Sequence, residues 1–423
     1  MASGPLAGIR VLEFTQIIAG PFGCMMLADQ GAEVIKVEPP GGEPWRQFAP
    51  FAPDESKVFQ SLNRGKQSLV ISASDVRAQE IVHRLIPTVD VVVINYRPDV
   101  AKRLNIDYET LSAIKPELIY VDLTAFGRKG PWSNRPGYDI VVQAVSGLMA
   151  GDAKLAPDGR PEQITATAVA DYGTGLAIAW AVTSALFHRE RTGEGQLVEA
   201  TLLGTALAFQ GSAVMELPAA DATLRNPQRE KRRKIKAEGA TFAEMLAVSR
   251  IARTAPNIYY RTYRTSDGAI AVGALSSSLW AKVRKALGTD FLGNADPNYD
   301  VTNAEYVEWA SQQVAAIEEV VAQRTSAEWL KIFEREGVPV GPVNFSDELS
   351  SDPQVLANDL VVELEHEISG PQTMVAPILK FHKSPMKAQG ASPVLGRDTT
   401  HWLRETGYSE EEIATYYAEG VVG

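Results

Sequence analysis

The first third of the chain alternates short apolar runs with longer amphipathic ones. Val11 to Phe14 is an apolar run too short for a helix, Pro21 to Gln30 opens on a proline suited to a first helical turn, and Glu33 to Val37 is apolar again. Together they predict a βαβ unit. Ser68 to Ile71, a helix from Val76 to Leu85, Val91 to Asn95, a helix near Val100, and Leu118 to Leu123 continue the pattern. This alternation predicts an α/β protein with a doubly wound, mainly parallel sheet. Ligands of such sheets bind beyond the carboxyl ends of the strands, which selects Thr15 to Gly20, Asn95 to Pro98 and Thr124 to Gly130.

Between Ala166 and Ala200 the pattern changes. Leu176 to Phe187 is apolar nearly all round, broken only by Thr183 and Ser184, so a buried helix is expected from about Tyr172 to His188. Asp171 stands just before it. A carboxylate there accepts first-turn N–H groups at the positive end of the helix dipole, so it is expected to be an N-cap and ionised at neutral pH. Gly173 and Gly175 each cost a helix roughly 1 kcal/mol relative to alanine, and close approach by a backbone or ligand would justify them. His188, Arg189 and Arg191, then Thr192-Gly193-Glu194-Gly195, form a stop signal, and Gln196 to Ala200 reads as a strand. Capping is the common role for such an aspartate and nucleophilic attack the rare one; these residues leave both open.

Further on, Ile258 to Thr265 and Ala269 to Ala274 flank Ser266-Asp267-Gly268 and predict a β-hairpin. Helices follow at about Leu279 to Leu287, Ala304 to Gln323 and Ser326 to Glu336, giving a smaller α+β domain, and Leu360 to Glu365 reads as a strand. A length of 423 residues fits two domains better than one core. The basic run Asn226 to Lys236 reads as a solvated connector or helix face.

A net charge of −11 argues against nucleic acid or an anionic membrane as partner, and means that an anionic substrate needs a locally basic cleft. The turn TQIIAGP lacks the glycine fingerprint of dinucleotide sites, so a nicotinamide cofactor is not supported. The five histidines show no metal spacing, and no metal is expected. Cys24, the one cysteine, excludes an internal disulfide, reads as a small core residue, and with no secretory signal points to the cytoplasm. Arg46, Arg64, Lys66, Arg97, Arg103, Arg128 and Lys129 lie past strands or in nearby loops. Singly they read as surface charges; as a group they suit the phosphates of a nucleotide-like ligand.

The run of small residues, Asp171, an aromatic, Gly173, Gly175, a long apolar helix and then ERTGEGQLVEATLL resembles the class III coenzyme A transferases, which include formyl-CoA and carnitine CoA transferases. The resemblance covers nearly the whole chain, from GIRVLEFTQIIAGPFGCMMLADQGAEVIKVEPPGGEPWR to SPVLGRDTTHWLRETGYSEEEIATYYAEGVV. It implies a Rossmann-like large domain over 1–215, a small α+β domain over 216–335, a return over 336–423, and an interlocked homodimer. It also implies that Asp171 is the nucleophile. Gln16, Ile17, Ala19, Lys66, Asn95, Tyr96 and Arg103 match coenzyme-site residues, and Arg97 joins them as a basic residue past a strand. Tyr138 and Asp139 resemble a substrate-side pair in which formyl-CoA transferases carry Glu as the acid; Arg46 is assigned beside them. Pro39 stands where some relatives have a nucleotide-contacting Arg, and the run of glycines that closes over the acyl intermediate in formyl-CoA transferases is missing between Glu216 and Ala255.

The activity implied is transfer of coenzyme A from an acyl-CoA, succinyl-CoA as the favoured donor, to a small dicarboxylate such as malate, with no tightly bound cofactor. Oxyanion donors are expected near Gly173 or Ile17. The related 2-methylacyl-CoA racemases carry Gly-His-Asp where this chain has Gly137-Tyr138-Asp139, and a phenol with a pKa near 10 is a poor proton exchanger. Racemase chemistry, a non-catalytic coenzyme-binding subunit, and a packing role for Tyr138 are the alternatives.

Overall fold

The structure, a computed structural model, describes residues 4–223, 225–250, 257–300 and 303–423. The chain forms two units, one of residues 1–154, 162–216 and 352–423, the other of 155–161 and 217–351.

The first unit is built on six parallel strands: β1 (Arg10–Phe14), β2 (Glu33–Glu38), β3 (Lys66–Val70), β4 (Val91–Ile94), β5 (Ile119–Thr124) and β6 (Gln196–Thr201). Their spatial order is β3-β2-β1-β4-β5-β6, the doubly wound order of Rossmann-like sheets. Because side chains alternate along a strand, the sheet buries two separate cores. Leu12, Ile35, Leu69, Val92 and Tyr120 face Ile81, Val82 and Leu85 of α2 (Val76–Leu85) on one side, and Val11, Val34, Val91, Val93 and Val121 face α1 (Ala19–Asp29) on the other. After β5 come α3 (Asp139–Ser146) and the long α4 (Val169–Thr192), and after β6 a short α5 (Leu202–Ala208). Helix α4 ends at Gly193 in the left-handed conformation, as its stop signal predicts.

Helix α4 is not buried all round. Its inner stripe, with Thr174, Ile178, Val182 and Ala185, packs into the core, while Trp180 on the other side is 75% exposed and Phe187 64%. The expectation of a helix buried all round is therefore met on one face only.

In the second unit α6 (Arg225–Ala237) carries the basic run and buries none of its residues. Strands β7 (Tyr260–Arg264) and β8 (Ala269–Gly273) form the expected antiparallel hairpin, and α7 (Ser277–Leu287), α8 (Ala304–Val321) and α9 (Ser326–Glu336) pack Val283, Ile317, Val321, Trp329 and Phe333 around it. Strand β9 (Val340–Pro342) pairs with β8, so the chain re-enters the first unit at Asp352 rather than at 336. There β10 (Val361–His366) and β11 (Gly370–Val375) form a second hairpin. Near the C-terminus Asp398 Oδ2 accepts from the Ser68 N–H at 2.8 Å and Thr399 Oγ1 from the Val70 N–H at 3.0 Å, satisfying the outer edge of β3.

Beneath the carboxyl ends of β1 and β2 lies a cluster of buried charges. Lys36 Nζ is 3.2 Å from Glu13 Oε1 and 3.1 Å from Glu43 Oε1, and donates to the Thr15 carbonyl at 2.9 Å. Burial alone would lower Lys36, but Glu13, Glu43 and Glu38 outweigh it and hold the ammonium above its usual range. Lys66 Nζ is 2.8 Å from Glu13 Oε2 and donates to Asn63 Oδ1 at 2.8 Å and the Pro21 carbonyl at 2.9 Å. Arg46 grips both oxygens of Glu38 at 2.7 and 2.9 Å, reaches the Pro393 carbonyl at 3.0 Å, and lies 3.6 Å over the Phe59 ring. Lys66 and Arg46, expected at the ligand site, are therefore buried and engaged by interior acids. Removing one partner of such a pair strands the other charge, so Arg46→Ala should lose roughly 3–5 kcal/mol in urea unfolding followed by circular dichroism. A loss below about 1 kcal/mol would place this pair with exposed ones.

Candidate active site

Strand order reverses between β1 and β4, whose following connections run off in opposite directions. The crevice this leaves at their carboxyl ends is where a doubly wound sheet binds ligands. Here it is a cavity of about 440 Å³. Gln16, Ile17 and Ala19 line it from the β1–α1 turn, and Asn95, Tyr96 and Arg97 from the end of β4. Tyr138 and Asp171 complete the wall from α3 and α4.

The β1–α1 turn is held from several sides. Asn95 accepts from the Gln16 N–H through Oδ1 at 3.1 Å and donates to the Gln16 carbonyl through Nδ2 at 2.9 Å. Its side chain therefore faces the turn and fixes it. The Ile17 N–H donates to Glu43 Oε2 at 2.7 Å, which removes it as an oxyanion donor. Gly173 lies inside α4, where the helical ladder engages its own amide. The amides of Ile18 and Ala19, at the start of α1 and on the cavity wall, have no acceptor among the described residues.

Asp171 is the third residue of α4 rather than its cap. The N-cap is Ala168, whose side chain makes no capping bond. Capping comes instead from Asp139 on α3: its Oδ1 accepts from the Ala170 N–H at 2.7 Å and the Asp171 N–H at 3.2 Å, while Gln143 Nε2 donates to its Oδ2. Asp139 is thus buried behind the cavity wall and not on it. The arrangement leaves the Asp171 carboxyl without a capping bond, 7% exposed, and near a second acid. Burial first, and then the Asp139 charge, push it up to about 7, so the expectation of a fully ionised carboxylate at neutral pH is wrong.

The glycines explain how Asp171 is placed. A Cβ on Gly175 would stand 2.9 Å from the Ala19 carbonyl oxygen and 3.2 Å from the Gly23 nitrogen, and one on Gly23 would stand 2.9 Å from the Gly175 oxygen. Helices α1 and α4 therefore cross backbone to backbone. Gly173 makes room for the Phe209 ring, which a Cβ would meet at 2.3 Å.

Arg103 lies exposed at the end of the short helix Pro98–Arg103, away from the cavity lining. Arg135, which was not among the residues expected at the site, does line it, with its guanidinium 4.4 Å from the Trp132 ring centroid. Its position in the loop past β5 was the available signal, and the same loop's Arg128 instead pairs with Asp122 of β5. Among the described residues, no histidine lines the cavity and no group of three His, Cys, Asp or Glu is placed to hold a metal ion.

Comparison with known proteins identifies the family of the chain. The model of CoA-transferase family III matches residues 6–399. The chain is 34% identical over 421 residues to the mouse protein named succinyl-CoA:glutarate CoA-transferase, covering 99% of this chain and 90% of the relative. It is 32% identical over 362 residues to acetyl-CoA:oxalate CoA-transferase of Acetobacter aceti, covering 85% and 86%. Among solved structures, Rv3272 from M. tuberculosis superposes with a TM-score of 0.75 at 28% identity, covering 95% of this chain and 100% of that one. The chain belongs to CoA-transferase family III and is an acyl-CoA:carboxylate CoA-transferase, with CoA thioesters as its substrates.

The Asp171 shift also bears on stability. A carboxyl raised from 3.8 to about 7 binds its proton more tightly in the folded state. Its contribution is therefore full below the unfolded value and is lost as pH rises toward 7. At about 1.4 kcal/mol per pH unit, ionisation costs the folded state up to roughly 3–4 kcal/mol by pH 8. Asp171→Asn should melt above the wild type at pH 8, with the difference shrinking below pH 5; equal melting temperatures across that range would refute the shift.

Proposed function

We propose that Asp171 is the nucleophile of the transfer and that the cavity beside it takes the thioester end of coenzyme A. The observation that carries this reading is that one buried carboxyl opens onto a cavity walled by the β1–α1 turn and the end of β4. Asp171 attacks the donor thioester carbonyl, giving a mixed anhydride and releasing coenzyme A thiolate. The thiolate attacks the aspartyl carbonyl and frees the donor acid, leaving an aspartyl–CoA thioester. The acceptor carboxylate attacks that carbonyl, and the expelled thiolate then attacks the acceptor's acyl carbon, regenerating Asp171. The Ile18 and Ala19 amides are the candidate donors to the oxyanions. Arg97 and Arg135 are candidates for the coenzyme phosphates and the acceptor's second carboxylate.

Succinyl-CoA as donor and a small dicarboxylate as acceptor fit the relatives, which are named for succinyl-CoA, glutarate and oxalate. Malate belongs to the same class and is to be tested beside them. The absence of histidine from the cavity lining among the described residues favours transfer over racemisation, which needs a second proton-exchanging group. A cytoplasmic setting is part of this proposal, supported by the unpaired, buried Cys24. Among the described residues no helix is long and apolar enough to cross a membrane.

The chain acts, in this reading, as a homodimer. A groove of about 1110 Å³, lined by Met25, Leu176, Trp180, Met374, Leu379 and Phe381, runs beside the exposed face of α4, and a second copy is the partner that would cover it.

Incubation with succinyl-CoA, trapping with hydroxylamine and intact-mass analysis should modify the wild type and not Asp171→Ala, with a new CoA ester appearing for one of glutarate, oxalate or malate. Wild-type kcat/KM should rise with pH through an apparent value near 7, since the attacking form is the carboxylate. No trapping with any donor, together with α-proton exchange, would replace transfer by racemisation. For the assembly, Trp180→Glu should convert dimers to monomers in sedimentation velocity; an unchanged sedimentation coefficient would exclude this groove as the contact.

A further inference from the structure

The turn that walls the cavity is not a relaxed one. Ile17 has φ of +73°, a left-handed conformation that a β-branched residue adopts only when its surroundings impose it. Three buried or half-buried side chains from outside the turn do so. Lys36 holds the Thr15 carbonyl at 2.9 Å, Asn95 holds both polar backbone groups of Gln16, and Glu43 accepts from the Ile17 N–H at 2.7 Å. Of these, only Glu43 acts on the strained residue itself.

We infer that Glu43 is a positioning residue of the transferase, which holds Ile17 in its left-handed conformation and so keeps the β1–α1 turn in the shape that receives coenzyme A. Its place in the fold fits that task and no direct one. Glu43 is buried and does not line the cavity. Its Oε1 is 3.1 Å from Lys36 Nζ and its own N–H donates to Glu38 Oε2 at 3.3 Å, so the residue is clamped from two sides before it meets Ile17. Lys36 therefore ties the Thr15 carbonyl and Glu43 to one ammonium. When Glu43 is absent, Lys36 and Asn95 still hold Thr15 and Gln16 but no side chain holds Ile17 itself, and the turn relaxes toward negative φ at that residue. Coenzyme A must then restore the strained form when it binds, which weakens its affinity.

The inference rests on the reading of this cavity as the coenzyme site, and the two are separable. Affinity for coenzyme A is measured by isothermal titration calorimetry on the full chain for wild type, Glu43→Ala, Ile17→Gly and the double variant, with KM and kcat alongside. Glycine occupies the left-handed region without the Cβ penalty, so it removes the need for the clamp. Glu43→Ala should weaken binding roughly tenfold or more when Ile17 is retained, the scale on which one strained residue is released, and much less when it is combined with Ile17→Gly. The loss should appear in KM for the acyl-CoA more than in kcat. Equal losses in both backgrounds would reduce Glu43 to a stability residue and overturn the inference, as would an unchanged affinity in Glu43→Ala. If Glu43→Ala does not fold, Glu43→Gln, which keeps the volume but sets an amide donor against either the Ile17 N–H or Lys36, enters the same cycle with the same two outcomes. A wild type that binds no coenzyme A, or whose affinity ignores Arg97→Ala and Arg135→Ala, would instead overturn the reading of the cavity and leave the Ile17 clamp a purely structural feature.

Discussion

The backbone contact between Gly23 and Gly175 is the constraint on which the site depends. Without side chains at those positions, α1 and α4 approach until a Cβ on either would collide with the other's backbone. The first turn of α4 is thereby set beside the first turn of α1, and Asp171 reaches the crevice opened by the sheet's reversal between β1 and β4. A bulkier residue at either position would move the reactive carboxyl away from the turn that faces it. Gly23 lowers the intrinsic stability of α1 and Gly175 that of α4, and the packing they permit offsets that cost.

The groups around the cavity are held in turn by others hidden behind it. Asp139 caps α4, so the helix start is satisfied without drawing on the Asp171 carboxyl, and the same charge opposes ionisation of Asp171. Asn95 braces the Gln16 peptide. Beneath them the Glu13, Lys36, Lys66 and Glu43 charges neutralise one another where water does not reach. Such clusters contribute less to net stability than their number suggests, because desolvation offsets most of the Coulomb gain. What they supply is geometry. Each ammonium has several acceptors at fixed distances, and the turn above has little freedom to move.

The architecture was legible before any coordinates. Alternating apolar runs and helix signals were enough for the parallel α/β sheet, because strand and helix periods are local properties and buried parallel strands are mostly apolar on both faces. The loops past β1, β4 and β5 followed from topology alone, and they are where the cavity lies. The hairpin at Ser266-Asp267-Gly268 and the end of α4 at Gly193 were readable for the same reason, since turn and cap chemistry involve a few adjacent residues. Gly173 and Gly175 announced a close approach, although not which neighbour made it.

Which charges face the ligand and which are interior emerged solely from the folded chain. Arg46 and Lys66 looked like candidates because a cation in sequence carries no mark of its partner, and their partners, Glu38 and Glu13, meet them only once the sheet and its loops are assembled. Arg135 was missed and Arg103 misplaced for the converse reason. Asp171 shows the same limit most clearly: the cap of its helix comes from Asp139, 32 residues earlier, and its ionisation is set by burial and by that second acid. Backbone pattern is a local quantity, whereas the electrostatic state of a group is a sum over everything folded around it.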